Sequence, residues 1–62
     1  MKIIDLNEVI KKTTLGKSTI YAYGKAGKMP AQIRLTDRSV GWIESEIDAW
    51  LKERAEVSRA VV

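Results

Sequence analysis

Neither cysteine nor histidine occurs among the 62 residues. The first absence rules out disulfides, thiolate metal sites and sulfur nucleophiles. The second removes the commonest general base and the commonest metal ligand. No apolar run approaches the roughly 20 residues of a membrane span. The opening Met1-Lys2-Ile3-Ile4-Asp5 meets charge too early for a signal peptide. The four glycines are scattered and build no phosphate-cradling loop. There are no repeats or low-complexity runs. The expectation is a cytoplasmic protein that is not an enzyme. It carries no catalytic or metal site and takes no cofactor, small-molecule ligand or membrane.

What is present suits one small domain. A core of this size supplies only roughly 3–5 kcal/mol of net stability unless something reinforces it. With no disulfide or metal available, reinforcement comes from packing, from a bound polyanion or from a second copy of the chain. The net charge of +3 is unevenly spread. Between residues 11 and 38 seven cations (Lys11, Lys12, Lys17, Lys25, Lys28, Arg34, Arg38) face one carboxylate, Asp37, for a local +6. The rest of the chain carries four cations against seven acids, a local −3. A basic segment inside an acidic frame is either the electrostatic footprint of a polyanion partner or an unevenly charged solvated surface, and charge alone does not choose between them.

Asp5-Leu6-Asn7-Glu8 has the form of a capping box, and Leu6, Val9 and Ile10 follow at helical spacing. These predict a helix over about 6–13, with Lys11 and Lys12 suited to its C-terminal dipole. Thr14-Leu15-Gly16 reads as a turn, and a second helix is predicted over about 17–26, closed by Gly27. Leu15, Ile20 and Tyr23 form its expected inward stripe, which leaves Tyr21 toward solvent. Pro30 stops anything helical, with Met29 anchoring the exit. Gln32-Ile33-Arg34-Leu35 alternates with period 2, Thr36–Ser39 is turn-like, and Val40-Gly41-Trp42 makes a second strand. Such a hairpin must pack on the helices to survive. Glu44 to Asp48 opens a third helix with acids in its first turn, a stripe of Ile47, Trp50 and Leu51, and an Asp48–Lys52 pair at i, i+4. Trp42 and Trp50 are assigned to the core. The domain is drawn over 1–57, with 58–62 as a frayed tail. Helix, short turn, helix, hairpin, helix describes a mainly α fold with a small β-hairpin, a winged helix-turn-helix.

In that architecture the second helix meets the major groove with its N-terminal residues. Lys17, Ser18, Thr19 and Tyr21 are the outward donors there, suited to phosphates and base edges. Lys17 stands at the positive end of a helix dipole, mildly unfavourable alone and favourable once an anion binds. Lys25 and Lys28 are secondary candidates for backbone contacts. Arg34 and Arg38 mark the hairpin, where a wing reaches the backbone or the minor groove. Glu44, Glu46 and Asp48 invite a magnesium or acid–base reading, but first-turn acids explain all three.

The stretches Leu15-Gly16-Lys17-Ser18-Thr19-Ile20-Tyr21, Gly27-Lys28-Met29-Pro30 and Val40 to Leu51 resemble the AlpA family of phage-type regulators, within the broader group of MerR-like and excisionase winged-helix domains. The resemblance runs from about Leu6 to Arg54. It implies sequence-specific binding of double-stranded DNA by a protein encoded on a prophage or mobile element, acting on transcription at the nucleoid. It places contacts at Lys17, Ser18, Thr19, Tyr21 and Arg38. Gly16 stands where the family often has a serine cap, and Ala22 and Gly24 replace larger residues. This smaller recognition surface suggests a homodimer or cooperative neighbours on DNA. The alternatives are an excisionase-like recombination directionality factor and, in another class, a protein-interaction module with no DNA role.

Overall fold

Asp5 starts the first helix as the sequence predicts. Its carboxylate accepts from the amide of Glu8 at 3.0 Å, and helix α1 runs Leu6–Thr13. The reciprocal half of the capping box is replaced by an ion pair between Glu8 and Lys11 at 3.7 Å. The turn that follows is built by threonines. Thr13 hydroxyl donates to the Val9 carbonyl at 2.7 Å and accepts from the Leu15 amide at 3.2 Å. Thr14 takes a left-handed conformation, φ 60°, and its amide donates to the Ile10 carbonyl at 2.7 Å. Helix α2 is Lys17–Lys25, with Gly16 as N-cap and Gly27 at φ 74° beyond its end. Only glycine reaches that conformation without a Cβ penalty.

The computed structural model describes residues 1–60. Its sheet holds one strand more than the expected hairpin. Strand β1 is Ile3–Ile4, β2 is Ile33–Arg34 and β3 is Val40–Ile43, in the order β1-β3-β2 with both pairings antiparallel. The register sets Ile4 opposite Trp42, and Ile33 opposite Gly41. The hairpin is shorter than its pattern, since Gln32 and Leu35 fall outside β2. Its far end is closed by Thr36 and Ser39, whose amides donate to each other's carbonyls at 3.2 and 3.4 Å. Helix α3 runs Glu44–Ala60, directly off β3. It passes through Ser58-Arg59-Ala60 of the expected tail, while Val61 and Val62 lie outside the described residues.

Ile4, Val9, Ile20, Met29, Trp42 and Ile47 are buried, so every element except β2 contributes to one core or, for Met29, the loop that leaves α2. Leu6, Ile10, Leu15, Tyr21, Val40, Trp50 and Leu51 pack around it. Trp50 was assigned to the core but is half-buried. Its indole N–H donates to the Lys28 carbonyl at 2.8 Å, so it staples the loop after α2 to α3.

Gly41 shows why the central strand needs a glycine. A Cβ there would overlap Cγ2 of Ile3 and approach the Ile4 carbonyl oxygen and Leu35 Cδ1 at 3.3 Å. The side chains of Ile3, on β1, and Leu35, just past β2, both come over the place a Gly41 side chain would take. Gly41→Ala is expected to destabilise the fold by about 1–3 kcal/mol through overpacking. The same change in an Ile3→Ala background should cost less, which a thermal-melt double-mutant cycle will read.

Candidate nucleic-acid interface

The N-terminus of α2 stands open to solvent. Gly16 supplies no side-chain cap, so the first-turn amides of α2 gain no acceptor from it, and Lys17 and Ser18 beside them are exposed. Thr19, expected fully outward, is half-buried. The cations Lys25, Lys28, Arg34 and Arg38 are all exposed. Among the described residues none of these five cations, Lys17 included, has a carboxylate within ion-pair distance.

The hairpin tip is ordered by its own hydrogen bonds. The Arg38 amide donates to the Thr36 hydroxyl at 3.2 Å. Arg34 turns back along the hairpin, and its Nη1 donates to the Asp37 carbonyl at 3.3 Å. Arg34 therefore stiffens the tip while keeping other guanidinium donors available.

The two tyrosines exchange places relative to the sequence expectation. Tyr21 is half-buried, with its ring 6.0 Å from that of Trp42 at 55°. Tyr23 is 39% exposed. The cause is the rotation of α2. Ile20 and Gly24 share an i, i+4 row, and the position of a Cβ on Gly24 lies 3.6 Å from the Ala31 Cα. The helix thus presses this row against the chain, which turns Tyr21 inward and swings Tyr23 out beside Thr19. A residue with no side chain on the buried row was the available signal.

The acidic start of α3 also has a definite use. Lys12 Nζ lies 2.9 Å from Asp48 and 3.3 Å from Glu44, and Glu44 also pairs with Lys2 at 3.9 Å. The expected Asp48–Lys52 pair is replaced by this bridge, because Lys12 reaches Asp48 across the α1–α3 junction. The hydrogen bond from Lys12 to Asp48 is the main cause raising the lysine's pKa above its ordinary value, with partial desolvation opposing it. The carboxylates that invited a metal reading hold a cation of the protein itself. Among the described residues, no group of three or more histidine, cysteine, aspartate or glutamate side chains is placed to hold a metal ion. No helix there is long and apolar enough to cross a membrane.

Sequence comparison gives the family. Residues 2–55 match the family model described as the prophage CP4-57 regulatory protein (AlpA). The chain belongs to the AlpA family. The AlpA match takes in α1, α2, all three strands and most of α3. A relative in Escherichia coli (strain K12), the DNA-binding transcriptional activator AlpA, is 36% identical over 63 residues, covering 92% of this chain and 90% of that protein. The uncharacterized protein ORF88 of Enterobacteria phage P4 is 34% identical over 53 residues, covering 86% of this chain and 60% of the phage protein.

Proposed function

We propose that this AlpA-family chain is a sequence-specific, double-stranded DNA-binding regulator of transcription of prophage or mobile-element type. It acts in the cytoplasm of a bacterium or phage-infected cell. Helix α2 enters the major groove by its N-terminal end, where Lys17, Ser18 and Thr19 meet phosphates and base edges. The β2–β3 hairpin lays Arg38, with Arg34 behind it, on the backbone or in the minor groove. Lys25 and Lys28 add backbone contacts. Tyr21 supports α2 through Trp42 instead of reaching bases.

One observation carries this reading. A helix start with no side-chain cap, an exposed lysine beside it and a hairpin-tip arginine with no ion pair among the described residues occur in a single small body. Free amides and cations converge best on an anion, and a phosphate supplies the acceptors that Gly16 does not. The name of the Escherichia coli relative, which covers nearly the whole chain, points to the same activity.

The test is binding of the purified chain to duplex DNA across a range of salt. With ~4–6 phosphate contacts, log affinity should fall against log salt with a slope of about −0.9 per contact. Sequencing the fragments that the protein retains from its host genome should return a common site. Binding that is undetectable at low salt, or indifferent to salt, overturns the reading in favour of a protein-interaction module.

A further inference from the structure

Where α2 ends, three side chains outside the groove-reading turn gather beside Trp50. Tyr23, Lys28, Trp50 and Arg54 line a cleft of about 350 Å³. We infer that this cleft holds a phosphate of the DNA backbone, so that the DNA interface continues past the end of α2 and onto α3. The inference rests on the DNA-binding reading of the chain and adds Tyr23 and Arg54 to it.

Four observations support it. The first is direction: Tyr23 lies one helical turn beyond Thr19, on the same i, i+4 row of α2. A backbone that passes Thr19 along this side of α2 is led to the tyrosine hydroxyl. The second is charge. The cleft is lined by two cations and no carboxylate, and neither Lys28 nor Arg54 is ion-paired among the described residues. The third is preorganisation. The Trp50 indole N–H fixes the Lys28 backbone by donating to its carbonyl at 2.8 Å, and the Lys28 ammonium rests 5.6 Å from the centroid of the Tyr23 ring. A lysine held at both ends loses less freedom on binding than one free in solvent. The fourth is donor chemistry. An ammonium, a guanidinium and a phenol offer donors and no anionic acceptor, which suits a phosphodiester.

Two features oppose it, and both are weaker. Glu53 lines the adjoining groove, which shares Lys28, Trp50 and Arg54 with this cleft, but Glu53 does not line the cleft itself. The C-terminal carbonyls of α2 are partly negative. Those nearest are already engaged, since the Lys28 amide donates to the Tyr23 carbonyl at 2.8 Å and the Gly27 amide to the Gly24 carbonyl at 3.3 Å.

The experiment compares the full chain with Arg54→Gln, Arg54→Lys, Lys28→Gln and Lys17→Glu on several duplexes of different sequence. Affinity is measured over a salt series, and circular dichroism melts confirm folding. Arg54→Gln and Lys28→Gln should each weaken binding roughly three- to tenfold and reduce the magnitude of the salt slope by about 0.9. The loss should be uniform across DNA sequences, because phosphate contacts carry no base information. Arg54→Lys keeps the charge and should keep the slope. Wild-type affinity and slope in Arg54→Gln and Lys28→Gln, with Lys17→Glu impaired, overturn the cleft while sparing the DNA reading. Salt-independent binding by the wild-type chain defeats the parent reading itself.

Discussion

Trp42→Ala should leave most of the chain unfolded at room temperature. Trp42 is 1% exposed and is the largest of the fully buried side chains, in the central strand and opposite Ile4. Its ring also faces Tyr21, so its removal empties the space under β3 and withdraws the support of α2 together. Truncating a buried tryptophan costs about 3–5 kcal/mol. A domain of this size has roughly 3–5 kcal/mol in all. The two figures coincide, so the folded fraction should collapse, as far-ultraviolet circular dichroism will show. Saturating DNA at about 100 times its dissociation constant would return only about 2.7 kcal/mol. A cooperative melt within a few degrees of the wild type would place Trp42 outside the core.

The second large effect concerns binding alone. Lys17→Glu combined with Arg38→Glu should weaken DNA affinity by about 10²-fold or more at 0.1 M salt. Each phosphate contact contributes a slope of about 0.9, so losing one at that salt costs about eightfold, and reversal adds repulsion. Both side chains are exposed and neither is ion-paired among the described residues, so the fold should persist. Lys17→Glu even places an acid at the start of α2, where the dipole favours it by up to about 1 kcal/mol. An unchanged or raised melting temperature with lost binding would therefore separate recognition from stability. Wild-type affinity in the double variant would remove α2 and the hairpin tip from the interface.

The three helices were legible because their signals are local. Asp5 sits three residues before the amide it caps, and Ile47 and Leu51 mark α3 by spacing alone. β1 was not legible, because two residues cannot display a period of 2 and its partner lies some forty positions away. The bridge from Lys12 to Asp48 spans 36 positions and has no trace in any window. The tyrosine exchange was within reach. Gly24 stands one turn from a buried isoleucine, and a glycine there lets a neighbouring backbone come close. The basic hairpin and the start of α2 were legible as candidates. Arg54 was not, since its place beside Lys28 depends on how Trp50 docks α3 against the loop.

The clasp that Glu44 and Asp48 make on Lys12 changes how a charged partner feels this molecule from afar. That lysine, like Lys11 beside Glu8, is screened by its own acids, and the uncompensated positive charge of the basic segment contracts to residues 17–38. On α3 the remaining acids Glu46, Glu53 and Glu56 are matched in number by Lys52, Arg54 and Arg59, so that helix adds no net positive charge. A body charged this way experiences a torque as well as a pull near a polyanion, so it turns before it touches. Productive encounters then outnumber those expected of a uniformly charged sphere of net charge +3, and this advantage fades once ions shorten the reach of the field to about 10 Å or less.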